Sequence, residues 1–72
     1  MRPYRSLDGH AGVTSYDIGH DFIAVLFRGS SKIYRYSYAR AGQIHVERMK
    51  ALAESGRGLT TYINQHVHDL AD

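Results

Sequence analysis

A chain of 72 residues makes one domain, and a domain of that size buries only roughly 60% of the surface its unfolded chain exposes, so help from a partner chain is expected. It has no cysteine, which excludes a disulfide framework and a thiolate zinc site and, with no signal peptide, suits a reducing cytoplasm. The formal charge of +2, from nine basic against seven acidic residues, is too small to imply a nucleic-acid ligand by itself, and the longest apolar run, Phe22 to Phe27, is far too short to span a bilayer.

Met1 to Gly12 holds the only proline and the basic pair Arg2 and Arg5 without a repeating apolar pattern, so residues 1–12 read as an N-terminal arm and 13–70 as the single domain. A first strand covers Val13 to Ile18, and Gly19, His20 and Asp21 supply turn residues. The second strand, Phe22 to Arg28, puts Ile23, Val25 and Phe27 on one face and Phe22, Ala24 and Leu26 on the other. Both faces are apolar, which predicts burial on both sides, the second by another chain.

Gly29, Ser30 and Ser31 turn the chain into a third strand, Lys32 to Tyr38. A two-residue loop at Gly29 and Ser30 would pair Val25 with Tyr34 and Ile23 with Tyr36, whereas a three-residue loop would pair Leu26 with Tyr34. The residues permit both. From about Gln43 to about Ser55 the period becomes helical, with Val46, Met49, Leu52 and Ala53 on one side and Gly56 where a helix end favours a left-handed residue. Leu59, Tyr62, Ile63, Val67 and Leu70 form the stripe of a second helix, with Thr60 a candidate N-cap. The expected fold is α+β: a three-stranded antiparallel meander followed by two helices, β-β-β-α-α. The helices would cover one sheet face and leave the other to solvent, a ligand or a twofold partner.

No acid occurs between Asp21 and Glu47, so Arg28, Lys32, Arg35 and Arg40 make the middle of the chain locally basic. Within it Tyr34, Tyr36 and Tyr38 share one strand face and Arg35 takes the other. The rings suit a platform for unpaired bases, each stack contributing roughly 1 to 3 kcal/mol, and equally the core face of the sheet. The bases suit a phosphate backbone, and equally an edge strand kept from aggregating by charge. Arg57, between Gly56 and Gly58, adds a possible anion site at the start of the last helix.

His66 and His68 stand two apart and diverge on a helix, so they do not chelate together, and no metal or cofactor is expected. No HExxH, Gly-x-Ser-x-Gly or Walker-type loop is present, which argues against an enzyme. Neither helix is basic enough to read a major groove. The leading expectation is therefore a cytoplasmic module that binds RNA or single-stranded DNA through Arg28, Lys32, Tyr34, Arg35, Tyr36, Tyr38, Arg40 and Arg57. The alternative is a homodimerising protein-interaction module with no nucleic-acid ligand.

The ordered series Ser15-Tyr16-Asp17-Ile18-Gly19, Ile23-x-Val25-x-Phe27, Tyr34-x-Tyr36, Ala41-Gly42, Met49-Lys50-Ala51-Leu52-Ala53 and Gly58-Leu59-x-x-Tyr62-Ile63 resembles the KTSC domain, over about residues 13 to 67. That family comprises small bacterial, plasmid and phage proteins and also occurs at the C-terminus of some lysyl-tRNA synthetases. Thr60 departs from its pattern, where an asparagine is common. The resemblance implies RNA binding only through that attachment to a tRNA-handling enzyme, which is analogy.

Overall fold

Residues 1–5 and 12–72 are described by the computed structural model. Four antiparallel strands, β1 (Arg2–Pro3), β2 (Val13–Ile18), β3 (Phe22–Phe27) and β4 (Ile33–Ser37), lie in sequence order in one sheet. Helix α1 (Gln43–Ser55) follows, then α2 (Leu59–Tyr62), which continues into a π-helical stretch, Ile63–Val67. The α+β class is as expected, but the described residues form four strands rather than three. Arg2 and Pro3 pair with Tyr16 and Ser15, so the start of the expected arm is an edge strand. Proline, which has no N–H to donate, is tolerated at that edge. Residues 6–11 of the expected arm lie outside the described residues.

Two local devices set which side chains face inward. In β2 the pairing shifts between Val13 and Ser15, and the Thr14 hydroxyl there donates to the Leu26 carbonyl at 3.1 Å. An uninterrupted strand would send Val13 and Tyr16, three apart, to opposite faces; the bulge turns both into the core. Between β3 and β4 the register is the one a two-residue turn dictates, Val25 opposite Tyr34 and Ile23 opposite Tyr36. The strands themselves stop at Phe27 and Ile33, and the turn closes with the Ser30 N–H on the Phe27 carbonyl at 3.1 Å, Gly29 taking a left-handed φ of 77° within it.

One core results, and it lies on one side of the sheet. Val13, Tyr16, Ile23, Val25 and Tyr36 meet Val46, Met49 and Ala53 of α1 and Leu59, Ile63 and Val67 of the last helix. Four residues overshoot a turn of α-helix and undershoot the wider π turn, so the π stretch returns Val67 to the line begun by Leu59 and Ile63. Gly56 closes α1 in the left-handed conformation, its N–H on the Leu52 carbonyl, as its position predicts. Thr60 is not the cap: Gly58 precedes α2, and the Thr60 hydroxyl instead accepts the Val13 N–H at 3.3 Å, tying helix to sheet. Tyr4 ties the N-terminus in the same way, its hydroxyl accepting the Leu59 N–H at 3.3 Å. The accessible surface is 4476 Å², against about 4,500 Å² for a compact monomer of this mass, so the core closes within one chain.

Candidate interaction surface

The opposite face of the sheet carries Phe22, Ala24 and Leu26 of β3, which take no part in the core cluster. Their cross-strand neighbours extend this outer face. Asp17, Ala24 and Arg35 make one row, Ser15, Leu26 and Ile33 the next, and Phe22 stands opposite Ser37. Ile33 is 56% exposed and Asp17 is exposed, while Phe22 and Leu26 are half-buried and the small Ala24 is buried between its neighbours. A Cβ at Gly19 would fall 2.0 Å from an edge carbon of the Phe22 ring, so the bare backbone of Gly19 is what seats that ring at the end of the face. Arg35 covers the other side of the ring, its guanidinium 4.5 Å from the centroid.

The tail fastens the edge of this face. Asp72 donates its N–H to the Arg35 carbonyl at 2.7 Å, and its carboxylate takes Arg35 at 3.0 Å and the Ser37 hydroxyl at 2.8 Å. The hairpin contains no acid of its own to engage its bases, but Asp72, 37 residues away, engages Arg35. Such a half-exposed pair contributes at most about 1 kcal/mol, so its role is orientation more than stability.

The expected nucleic-acid residues do not form one surface. Tyr36 is 1% exposed and is closed to a stacking base. Tyr34 is half-buried on the same inner face, edge-on to Phe27 at 5.4 Å with Lys32 over its ring. Tyr38 lies past the end of β4 and donates its hydroxyl to Glu47 at 2.6 Å. Arg28 and Lys32 are exposed together at the hairpin tip, whereas Arg40 lies beyond the far end of β4 with a contact to the Asp69 carbonyl at 3.4 Å. Arg57 is exposed between Gly56 and Gly58, both left-handed. Arg35 stands on the face opposite the tyrosines, as the alternation predicts.

A polar latch holds the β2–β3 turn to α1. Lys50 reaches Glu47 at 2.7 Å and the His20 carbonyl at 2.9 Å, and it lies over the Tyr38 ring. Hydrogen bonds from Lys50 and then Tyr38 hold the Glu47 carboxyl below its usual range, and the same bond to Glu47 raises the Tyr38 phenol. Desolvation pulls Lys50 down, but the bond to Glu47 and its charge outweigh this and leave the ammonium raised. Burial, with Tyr34 nearby, raises Tyr36.

Sequence reasoning missed a third cluster. His45 Nδ1 and the Tyr62 hydroxyl are 2.6 Å apart, and the His66 ring lies 4.5 Å from Tyr62 and 5.7 Å from His45 by centroids. His45 and His66 come from different helices, and no spacing pattern links them. A cleft of about 320 Å³ between β1 and the end of α1 is lined by Arg2, Arg5, Tyr16 and Glu54; within it Arg2 stacks on Tyr16 and approaches Glu54 to 3.9 Å.

No protein-family model matches this chain, and neither does any curated protein or solved structure. Among the described residues no helix is long and apolar enough to cross a membrane. The functional reading therefore rests on the residues and their geometry.

Proposed function

We propose that the protein is a non-catalytic interaction module that pairs with a second copy of itself through the outer face of its sheet. The observation that carries this reading is the row Asp17–Ala24–Arg35, with the apolar side chains Leu26, Ile33 and Phe22 beside it. Strands lie about 4.8 Å apart and stacked sheets about 10 Å apart. A twofold axis running along β3 would therefore set Asp17 of each copy over Arg35 of the other, with Ala24 and Leu26 on the axis. The interface is then isologous, with one apolar centre and two reciprocal charge pairs. Arg35 gives one nitrogen to Asp72, and the rest of its five-donor fork remains for a second carboxylate.

The nucleic-acid reading is weaker on the same geometry, because Tyr36 is closed and Tyr34 half-buried on the inner face, and the bases are divided among the hairpin tip, the outer face, the far end of β4 and the link between the helices. Sedimentation equilibrium at micromolar protein tests the proposal. The wild type is expected to be a dimer and Leu26→Asp a folded monomer, since the new carboxylate would be buried unpaired. Arg35→Asp should weaken pairing, and Asp17→Arg combined with Arg35→Asp should restore it. A wild type that sediments at 8.1 kDa overturns the proposal. Steeply salt-dependent binding to single-stranded oligonucleotides, with no dimer, would return the nucleic-acid reading to first place.

A further inference from the structure

We infer that His45 and His66, supported by Tyr62, form a surface site for a borderline divalent transition-metal ion. The pair that the sequence offers, His66 and His68, diverges, and His68 is occupied by Asp69 at 3.0 Å. The fold supplies a different pair. His45 on α1 is half-buried, His66 on the π-helical stretch is exposed, and their rings are 5.7 Å apart with planes inclined by 30°.

That separation suits a shared ion. An imidazole nitrogen binds such a metal at about 2.0 to 2.1 Å, which places each ring centroid roughly 3.2 Å from the ion. Two rings on one ion are then roughly 4.5 Å apart at a right angle, roughly 5.2 Å at a tetrahedral angle and at most about 6.4 Å when opposed. The observed distance falls within this range, and His66, being exposed, is the side chain that would turn a nitrogen toward the ion.

The Tyr62 hydroxyl can donate to a bare Nδ1 of His45 or accept from its Nδ1–H, and the second arrangement is the one a metal site uses. With the proton on Nδ1, His45 donates to the phenol oxygen at 2.6 Å and leaves the Nε2 lone pair free for the metal. An oxygen that takes the second ring N–H of a ligating histidine is a recurring support in metal sites. Tyr62 is thus a positioning residue, held by its own contact with His66.

The donor set names the class of ion. Two imidazoles suit Cu²⁺, Ni²⁺ and Zn²⁺, in an affinity order led by Cu²⁺, and do not suit Mg²⁺ or Ca²⁺, which need oxygen ligands. Among the described residues no third histidine, cysteine or carboxylate joins them, so water would complete the shell and the ion would exchange readily. Because one ligand is on α1 and the other on the last helix, the bound ion would staple the two together. It would stabilise the fold without being needed for it.

The test is calorimetric titration of the untagged full chain with Cu²⁺ and Ni²⁺, alongside thermal unfolding with and without metal. One ion per chain is expected, with a rise in Tm. His66→Ala, an exposed change that leaves the fold intact, should weaken Cu²⁺ binding at least about tenfold and abolish the rise in Tm, and His45→Ala should do the same. Tyr62→Phe should weaken binding less, and His68→Ala and His20→Ala should leave it unchanged. Equal affinity in wild type and His66→Ala, or no saturable heat in the wild type, overturns the inference. So does a loss in His68→Ala as large as that in His66→Ala.

Discussion

Replacing Tyr36 with alanine separates a core tyrosine from a binding tyrosine. Its ring is 1% exposed, opposite Ile23 on β3 and beneath the helices, in a cluster where every neighbour is apolar or aromatic. Truncating a buried aromatic to alanine costs about 3 to 5 kcal/mol, the sum of lost transfer energy and the cavity left behind. At about 0.05 to 0.15 kcal/mol per residue, the whole domain is stable by only about 4 to 11 kcal/mol, so the variant should stand close to its folding threshold. Tyr34→Ala, from a half-buried ring on the same face, should cost about half as much, and Tyr38→Ala, outside the strand, least of all.

Urea unfolding followed by circular dichroism reads this series. With a slope of about 1 kcal/mol per molar for a domain this small, Tyr36→Ala should lower the midpoint by about 3 M or leave no folded baseline. A variant within about 1 kcal/mol of wild type would refute the placement of the ring in the core. So would Tyr38→Ala proving more costly than Tyr36→Ala. A folded Tyr36→Ala that had lost oligonucleotide binding would revive the stacking platform.

Two further outcomes follow from the latch and from Gly19. Glu47 is held below its ordinary value of 4.5, so its contribution is complete above that pH and is lost as acid protonates it. Tyr36 and Tyr38 are raised above 10.0 and Lys50 above 10.5, so their contributions are complete below those values and are lost as pH climbs through the raised ones. Tm should therefore fall as pH drops below about 4.5 and as it climbs above about 10, and Glu47→Gln should flatten the acid limb; a Tm that rose above pH 10 would contradict this. Gly19→Ala should lift the Phe22 ring from its seat, lowering Tm and weakening self-association together, and a variant unchanged in both would show that the ring relocates freely.

Elements whose signal is local were legible in the sequence. A short apolar run bounded by turn residues marks Phe22–Phe27, Val13–Ile18 precedes the turn residues Gly19 to Asp21, the helical period marks Gln43–Ser55, and Gly56 ends that helix, because each of these depends on residues a few positions apart. The doubly apolar β3 was legible too, and with it an outer face the helices leave uncovered. What only tertiary structure decided depends on distant partners. Two-residue and three-residue turns at Gly29 use the same residues, so the β3–β4 register waited on which face the helices would bury. The tyrosines were committed to the core by that choice. The two-residue β1 has no period to detect and exists because β2 offers it an edge and Leu59 offers Tyr4 a hydrogen bond. Thr60 had two uses for its hydroxyl, and the approach of Val13 selected between them. Asp72 reaches Arg35, and His45 reaches His66, because packing the helices on one face brings the chain's end and its two helices together, and no pattern of neighbouring residues encodes such meetings.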